Sequence, residues 1–542
     1  MCPRVLGFVA FALLIAQAPA THSQAPSQAE RAAAQQQLQR GAAQGASDAA
    51  QRAAKAASEA EAVARDASKA AEAARRALTE AEAAAREAGK AAEAARRAQG
   101  EAERAAREAA ASSTPIGRAG GQPAARAPTA PAPLAQRPPA ASPAGPQASA
   151  PPGRPGPPGQ AATLRVGPGQ QLKRPSDAAR IARDGDTVEI EAGLYTGDVA
   201  VWRQSDLVLR GVGGRAHLKA AGASAEGKAI WVIRGHRAVV ENIEFSDARV
   251  SDGNGAGIRL EGTGLTVRNS YFHDNQDGIL AGGNRESDIV IESTEFANNG
   301  TDDGQAHNIY IGNVRSFTLR NSYVHHAKIG HNVKSRAATN YILYNRIIDA
   351  ADGTASYTID LPAGGVGYII GNVLQQGPET ENYTIVSYAA ENGAVSADLY
   401  LVGNTLVNDR REGGVFLARK LSGKTMLIDN IFSGPGTIQV QGTTIMKGNL
   451  IADGAGGGSI ERFAPGAEAS GNFTASSAGF VDPAKLDYRL KMGSPAIDKG
   501  IDPGEADGRA LRPTFQYVHP TGAKPRPRTG ALDIGAFEYE GG

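Results

Sequence analysis

The sequence predicts an all-β solenoid of stacked rungs over residues 163–542, behind an alanine-rich helical or coiled-coil segment and a proline-rich linker. Three observations carry this. First, an apolar phrase closed by a polar bend recurs as VVENIEF around Asn242, LTVRNSYF around Asn269, VIESTEF around Ser293, TLRNSYV around Asn321, ILYNRII around Asn345, YIIGNVL around Asn372, YLVGNTL around Asn404 and LIDNIF around Asn430, with spacings of 27, 24, 28, 24, 27, 32 and 26. Second, a short strand precedes each phrase, as in GIRLEG from Gly257, NIYIGN from Asn308 and TIDLPAG from Thr358. Third, Gly and Asn turns separate these period-2 segments, with no helical pattern between them. Self-similarity at this period means one coil per repeat, each burying its neighbour's apolar face. Like strands then add in parallel about 4.8 Å apart. The asparagine at the bend is expected to bond its counterpart one rung along, forming a ladder inside the coil.

Before the solenoid, composition changes in steps. Residues 1–20 hold Arg4, an apolar run from Val5 to Ala16, and small residues at Ala18 and Ala20, the pattern of a secretory signal peptide. That run is too short to span a bilayer, so the expectation is a secreted or periplasmic protein with no membrane span in its mature chain. Residues 21–112 are mostly alanine with interleaved Glu, Arg and Lys, and KAAEAARRA occurs at Lys69 and again at Lys90. Three heptads separate the copies, so this spacer reads either as a self-associating coiled coil or as a solvated single helix. Residues 113–162 contain 14 of the 30 prolines and no acidic residue; such a segment builds no core and reads as a disordered, extended linker.

Charge and cysteine narrow the chemistry. The 57 basic and 56 acidic residues leave a formal charge of +1, so nucleic acid is not an expected partner. The single cysteine, Cys2, excludes a thiol nucleophile in the solenoid, a cysteine-ligated zinc site and a disulfide framework.

The repeat pattern resembles the right-handed parallel β-helix superfamily that includes pectate lyases, over nearly all of 163–542. The opening from Asp177 to Val201 looks like that superfamily's N-terminal cap, a short amphipathic helix before a Gly185-Asp186 turn. Asp487 to Gly500 and Asp533 to Tyr539 are similar to the closing segment of many secreted bacterial β-helix proteins. One fold hosts many reactions, so activity must be argued from side chains.

Repeat phase serves as a ruler for them. With Ile309 and Ile311, Val333 and Ser335, and Ile359 and Leu361 pointing inward, Tyr310, Lys334 and Asp360 form one outward column, and Arg336 lies two positions past Lys334. His307, His331 and Tyr357 form a second column just before those strands, with Asn308 and Asn332 between. Such a face suits an acidic polysaccharide. β-Elimination at a uronate needs a cation for the carboxylate, a base for the C5 proton and an acid for the leaving oxygen. Arg336 or an asparagine serves the first role, Lys334 the second, and Tyr310, Tyr357 or His331 the third; His307, Asn308, Asn332 and Asp360 are candidate substrate contacts.

The stretch from Asn332 to Ile347 is also similar to the base-bearing strand of alginate lyase and chondroitinase B-like lyases. That resemblance implies Lys334 as base. Those lyases place Arg-His-Gly on the next rung, whereas this chain reads YTIDLPAGG from Tyr357. Other readings stay open: a C5 epimerase beginning with the same proton removal, a polygalacturonase-like hydrolase using Asp277, Asp302 and Asp303 with His331, and a non-catalytic module for glycan binding or envelope adhesion. Ca²⁺ is a candidate cofactor through Asp252, Asn254, Asp274, Asn298 and Asn299, whose oxygens suit a hard cation.

Overall fold

The computed structural model describes residues 160–391, 393–527 and 530–541. The expectations for the signal peptide, the alanine-rich spacer and nearly all of the linker fall on residues 1–159, outside the described residues.

A capping helix, α1 (Pro175–Ile181), comes first, with proline at its start, where a missing N–H costs nothing. Ala178 and Ala182 enter the core, and Asp198 accepts hydrogen bonds from the Ser176 amide and hydroxyl. A ten-stranded sheet then takes one strand from each coil: β1 (Ala200–Trp202), β2 (Ala229–Ile233), β3 (Ala256–Leu260), β4 (Asp277–Ala281), β5 (Ile309–Ile311), β6 (Val333–Ser335), β7 (Ile359–Leu361), β8 (Thr384–Tyr388), β9 (Val415–Arg419) and β10 (Thr437–Val440). All successive pairs are parallel. The remaining strands of each coil join a 23-stranded sheet that bends once per coil. At the first such bend, the strand Val208–Lys219 pairs in parallel with both Ala238–Glu241 and Ile243–Ser246, on either side of Asn242.

Register is set from inside. Trp231, Ile258, Ile279, Ile309, Val333 and Ile359 stand one above another and are fully buried. Phe245, Phe272 and Phe296 stack beside them with ring centroids 4.8 and 4.9 Å apart, one ring per rung. Each such side chain contributes about 2 kcal/mol by burial, against about 1 kcal/mol for a hydrogen bond at a turn. A slip by one residue would turn the whole column outward, so the apolar interior fixes which residues face solvent.

The asparagine ladder is present, but half of the expected members play another part. Asn345, Asn372, Asn404, Asn430 and Asn449, all buried, and half-buried Asn472 form an unbroken chain, each side-chain amide donating to the next Oδ1 at 2.8–3.0 Å. Asn242, Asn269, Ser293 and Asn321 instead occupy the residue before the ladder position, with φ of 57°, 49°, 48° and 56°. In those coils Ile243, Ser270, Thr294 and Ser322 hold the ladder position, as the strand register requires. Asparagine tolerates the left-handed bend better than most L-residues. The same residue type therefore marks the bend early in the coil and the ladder later, where Gly371 and Gly403 take over the bend.

The coil proper ends at Phe473–Ala475. The later chain, which holds the closing segments Asp487 to Gly500 and Asp533 to Tyr539, covers the coil instead of extending it. Ile534, Ala536 and Phe537 lie against Val373, Val407, Ile431 and Leu450 on its outer surface. A fully buried ion pair, Arg526 Nε to Glu538 Oε2 at 2.6 Å, fixes this segment, with Arg526 also donating to the carbonyls of Asp533 and Gly535.

Asn404→Ala removes a ladder link and strands buried polar partners, so it should cost about 3 kcal/mol in urea unfolding. Asn269→Gly, at the bend, should change stability by less than about 1 kcal/mol. Equal costs for the two would remove the distinction between ladder and bend.

Candidate functional site

The outward positions of the ten-stranded sheet read Arg259, Leu280, Tyr310, Lys334, Asp360 and Ser387 in one register. Tyr310, Lys334 and Asp360 therefore occupy consecutive rungs of β5, β6 and β7, because the inner column leaves them no other face. Arg336 follows β6. His307, His331 and Tyr357 form the adjoining wall: the two imidazole centroids lie 4.6 Å apart, Tyr357 meets His331 edge-on at 4.9 Å, and His307 lies parallel to Tyr310 at 5.7 Å. Seven of the nine residues picked from sequence are thus brought together.

Asn308 and Asn332 are not available to a substrate, which corrects the expectation for them. Both side chains are fully buried in a second polar ladder, Asn308 Nδ2 donating to Asn332 Oδ1 at 2.8 Å and Asn332 Nδ2 to Asp349 Oδ1 at 2.9 Å. His325 and His326 also face elsewhere; His325 meets the site region only through its carbonyl, which accepts from Asn308.

Burial sets the protonation of the wall. His307 Nδ1 accepts the His331 amide N–H at 3.0 Å, so its own proton sits on Nε2. Its pKa is held well below the usual imidazole value by burial, then by the nearby His331, Lys334 and Arg336. His331 is also lowered by burial, against the opposing pull of Asp360, whose Oδ2 lies 3.2 Å from His331 Nδ1. That contact has ion-pair distance, but Nδ1 makes no well-directed hydrogen bond. Asp360 itself is nearly buried, so it orients His331 more than it meets solvent.

Lys334 is the reactive-looking group. Among the described residues it has no ion-pair or hydrogen-bond partner, and burial, reinforced by Arg336, lowers its pKa against the raising effect of Asp360 and Glu391. Arg336 is anchored by both carboxylate oxygens of Glu391 and donates to the Tyr310 hydroxyl oxygen at 2.6 Å. The Tyr310 O–H is thereby left free to donate its own proton. Tyr357 is raised by burial and then by Asp360, so its phenol stays protonated.

Two further groups escaped sequence reasoning. Tyr310 and Arg336 border a cleft of about 630 Å³ that extends past Leu280 to Arg259 and Asp277. Arg259 has no carboxylate at ion-pair distance among the described residues, and its Nε is buried without a hydrogen-bond partner. Its signal was available, since Arg259 falls on the outward phase of GIRLEG. Glu391 lies 55 residues from Arg336, so no local pattern announces it.

The carboxylates weighed for hydrolysis do not form a pair. Asp277 is buried and accepts the His307 amide at 2.8 Å, whereas Asp303 caps its own exposed turn through Thr301 and Gln305. Three of the Ca²⁺ candidates already have partners of their own. Asn299 is spent inside the ladder, Asp274 on His273, and Asp252 accepts from Ser251.

With this geometry established, comparisons place the fold. Residues 220–370 match the family described as "Right handed beta helix region", and the domain is an all-β, right-handed parallel β-helix. Among solved structures, the chain is similar to pectate lyase Pel9A at 16% identity, covering 70% of this chain and 96% of that one, with a TM-score of 0.38. It is also similar to a mutant of the PL6 family alginate lyase AlyGC at 13% identity, covering 70% of this chain and 58% of that one, with a TM-score of 0.27. No curated protein matches the chain significantly. No helix among the described residues is long and apolar enough to cross a membrane.

Burial raises the Asp277 pKa from 3.8 to about 7. Between those values the folded protein keeps a proton that the unfolded chain has lost, so stability falls as pH rises through that window. Asp277→Asn keeps the acceptor for His307 and removes the ionisation. The variant should gain on wild type between about pH 4 and pH 7, by on the order of 4 kcal/mol at most. Thermal melts that run parallel across this range would contradict the assignment.

Proposed function

We propose that this protein acts on an acidic polysaccharide by β-elimination, with Lys334 as the base. The observation that carries this reading is the Lys334 amine, without a partner among the described residues and with its pKa lowered, set one rung from Tyr310 on the outward side of the sheet. In this reaction neutral Lys334 takes the C5 proton of a uronate, the C4–O bond breaks as the C4–C5 double bond forms, and Tyr310 protonates the departing oxygen. Arg336 offsets the negative charge that develops on the carboxylate in the transition state. It also holds the Tyr310 oxygen, which ties the acid to the cation. Neutral, buried His307 and His331 pack beside that face without adding charge, and Tyr357 and Asp360 support them.

Arg259 extends the site. It lies two rungs from Tyr310, about 10 Å along the coil axis, roughly two sugar units away. A guanidinium with no carboxylate partner among the described residues suits the carboxylate of a neighbouring uronate, in keeping with a polymeric substrate. Export and an extended tether, both expected from the sequence, agree with a substrate outside the cell.

The test is incubation of the protein with pectate, alginate, glycosaminoglycans and bacterial exopolysaccharides. New ultraviolet absorbance from an unsaturated uronate is the expected result. Reducing ends without it would mean hydrolysis, inversion at C5 without cleavage would mean epimerisation, and binding without either would mean a recognition module.

Lys334→Ala should lower elimination at least about 10³-fold while polymer binding persists. The base must be deprotonated, so the rate should rise with pH along a limb centred below 10.5, the ordinary lysine value. A Lys334→Ala variant that retains turnover would eliminate Lys334 as the base. Arg259→Gln should raise KM for polymer about tenfold with a smaller effect on kcat; an unchanged KM would leave Arg259 outside the substrate path.

A further inference from the structure

We propose that His217, Glu244 and His273 bind a zinc-like divalent metal ion, at a site on the 23-stranded sheet, separate from the Lys334 cleft. The three residues come from successive coils. His217 is in register with Glu244, and His273 with Ser246 of the same strand as Glu244. All three project outward and are partly exposed.

Their spacing fits a metal. Glu244 Oε1 lies 3.3 Å from His217 Nδ1 and 3.3 Å from His273 Nε2, and the three donor atoms all lie within 4.8 Å of one another. Tetrahedral zinc with ligands at about 2.0–2.1 Å requires ligand edges of about 3.3–3.4 Å. Two of the three edges already have that length. The third, between the two imidazole nitrogens, is no longer than 4.8 Å.

The remaining ring nitrogens are engaged in the manner of metal-bound histidines. His217 Nε2 lies 2.7 Å from Ser246 Oγ, and His273 Nδ1 lies 2.8 Å from Asp274 Oδ2. A carboxylate only accepts, so His273 carries a proton on Nδ1, and the neutral ring turns its Nε2 lone pair toward Glu244 Oε1, 3.3 Å away. Two acceptors facing each other at that distance need a cation or a second proton between them. A hydrogen-bonded partner behind each imidazole fixes its tautomer and aim, as outer-shell groups do in metal centres.

The donor set selects the ion. Two imidazoles and one carboxylate suit Zn²⁺ or a neighbouring first-row metal, whereas Ca²⁺ and Mg²⁺ prefer all-oxygen sets. Glu244 and Asp274 together bring two negative charges to a divalent ion. With three protein ligands on an exposed surface, solvent completes the tetrahedron. Bound in this way, the ion ties three adjacent coils near the N-terminal end of the solenoid.

The test is equilibrium dialysis of the full chain against ZnCl₂ with metal analysis, and Co²⁺ substitution read by visible absorption. Wild type should bind one ion that is lost in His217→Ala and His273→Ala, with a tetrahedral Co²⁺ band that disappears in both. Glu244→Gln should weaken binding at least about tenfold. Zinc should raise the melting temperature of wild type and leave the alanine variants unmoved; their metal-free melts, matched to metal-free wild type, establish that they fold. A His325→Ala/His326→Ala variant should keep the ion. The proposal fails if wild type binds no zinc in the hundred-micromolar range, or if the folded alanine variants bind as wild type does. An unchanged ion in those variants together with loss in the His325→Ala/His326→Ala protein would move the site and equally overturn it.

Discussion

Parallel stacking of one coil on the next governs this molecule. Each coil repeats the path of its neighbour, so a residue's nearest partners are about two dozen positions away in sequence. The buried column from Trp231 to Ile359 holds the coils in phase. Its combined burial exceeds what any turn hydrogen bond contributes, and a one-residue slip would expose it whole. The Asn345–Asn472 ladder adds direction to that apolar phase, since each side-chain amide from Asn345 to Asn449 donates both to its counterpart on the next coil and to a carbonyl of the coil before.

Phase locking is also what gives the surface its chemistry. Outward residues in register lie about 4.8 Å apart, close enough for each charge to alter the next. Lys334 sits between Tyr310 and Asp360, with Arg336 just past its strand, and burial with that second cation lowers its pKa. His307 and His331 stay neutral because their rings are packed between rungs. The same geometry on the other sheet brings His217, Glu244 and His273 together from three coils. A solenoid can thus carry distinct chemistry on separate faces, each written in its own column.

The ends of the coil follow from the same constraint. A stack has two open ends and an exposed outer surface wherever outward residues are apolar. α1 places Ala178 in the core at one end. Past Ala475 the chain returns along the outside, and Ile534 and Phe537 cover Val373 and Ile431. The buried Arg526–Glu538 pair keeps that return in place, its donors satisfied by neighbouring carbonyls.

The sequence by itself determined the coil, its approximate period and the column of Tyr310, Lys334 and Asp360, because period-2 alternation and a fixed repeat are local signals that survive in one dimension. It also placed His307, His331, Tyr357 and Arg336 beside that column. It misread Asn308 and Asn332, since an outward-facing and a laddered asparagine look alike until the bend angle is known. It likewise merged two bend positions into one, because Asn269 and Asn404 share a residue type but not a φ. Tertiary structure alone decided that Glu391 would anchor Arg336, that Arg259 would lie in a cleft with no carboxylate partner among the described residues, that Asp360 would be nearly buried, and that His217, Glu244 and His273 would converge. These depend on loop excursions and side-chain directions between coils, where electrostatics and packing act across distances that the repeat does not encode.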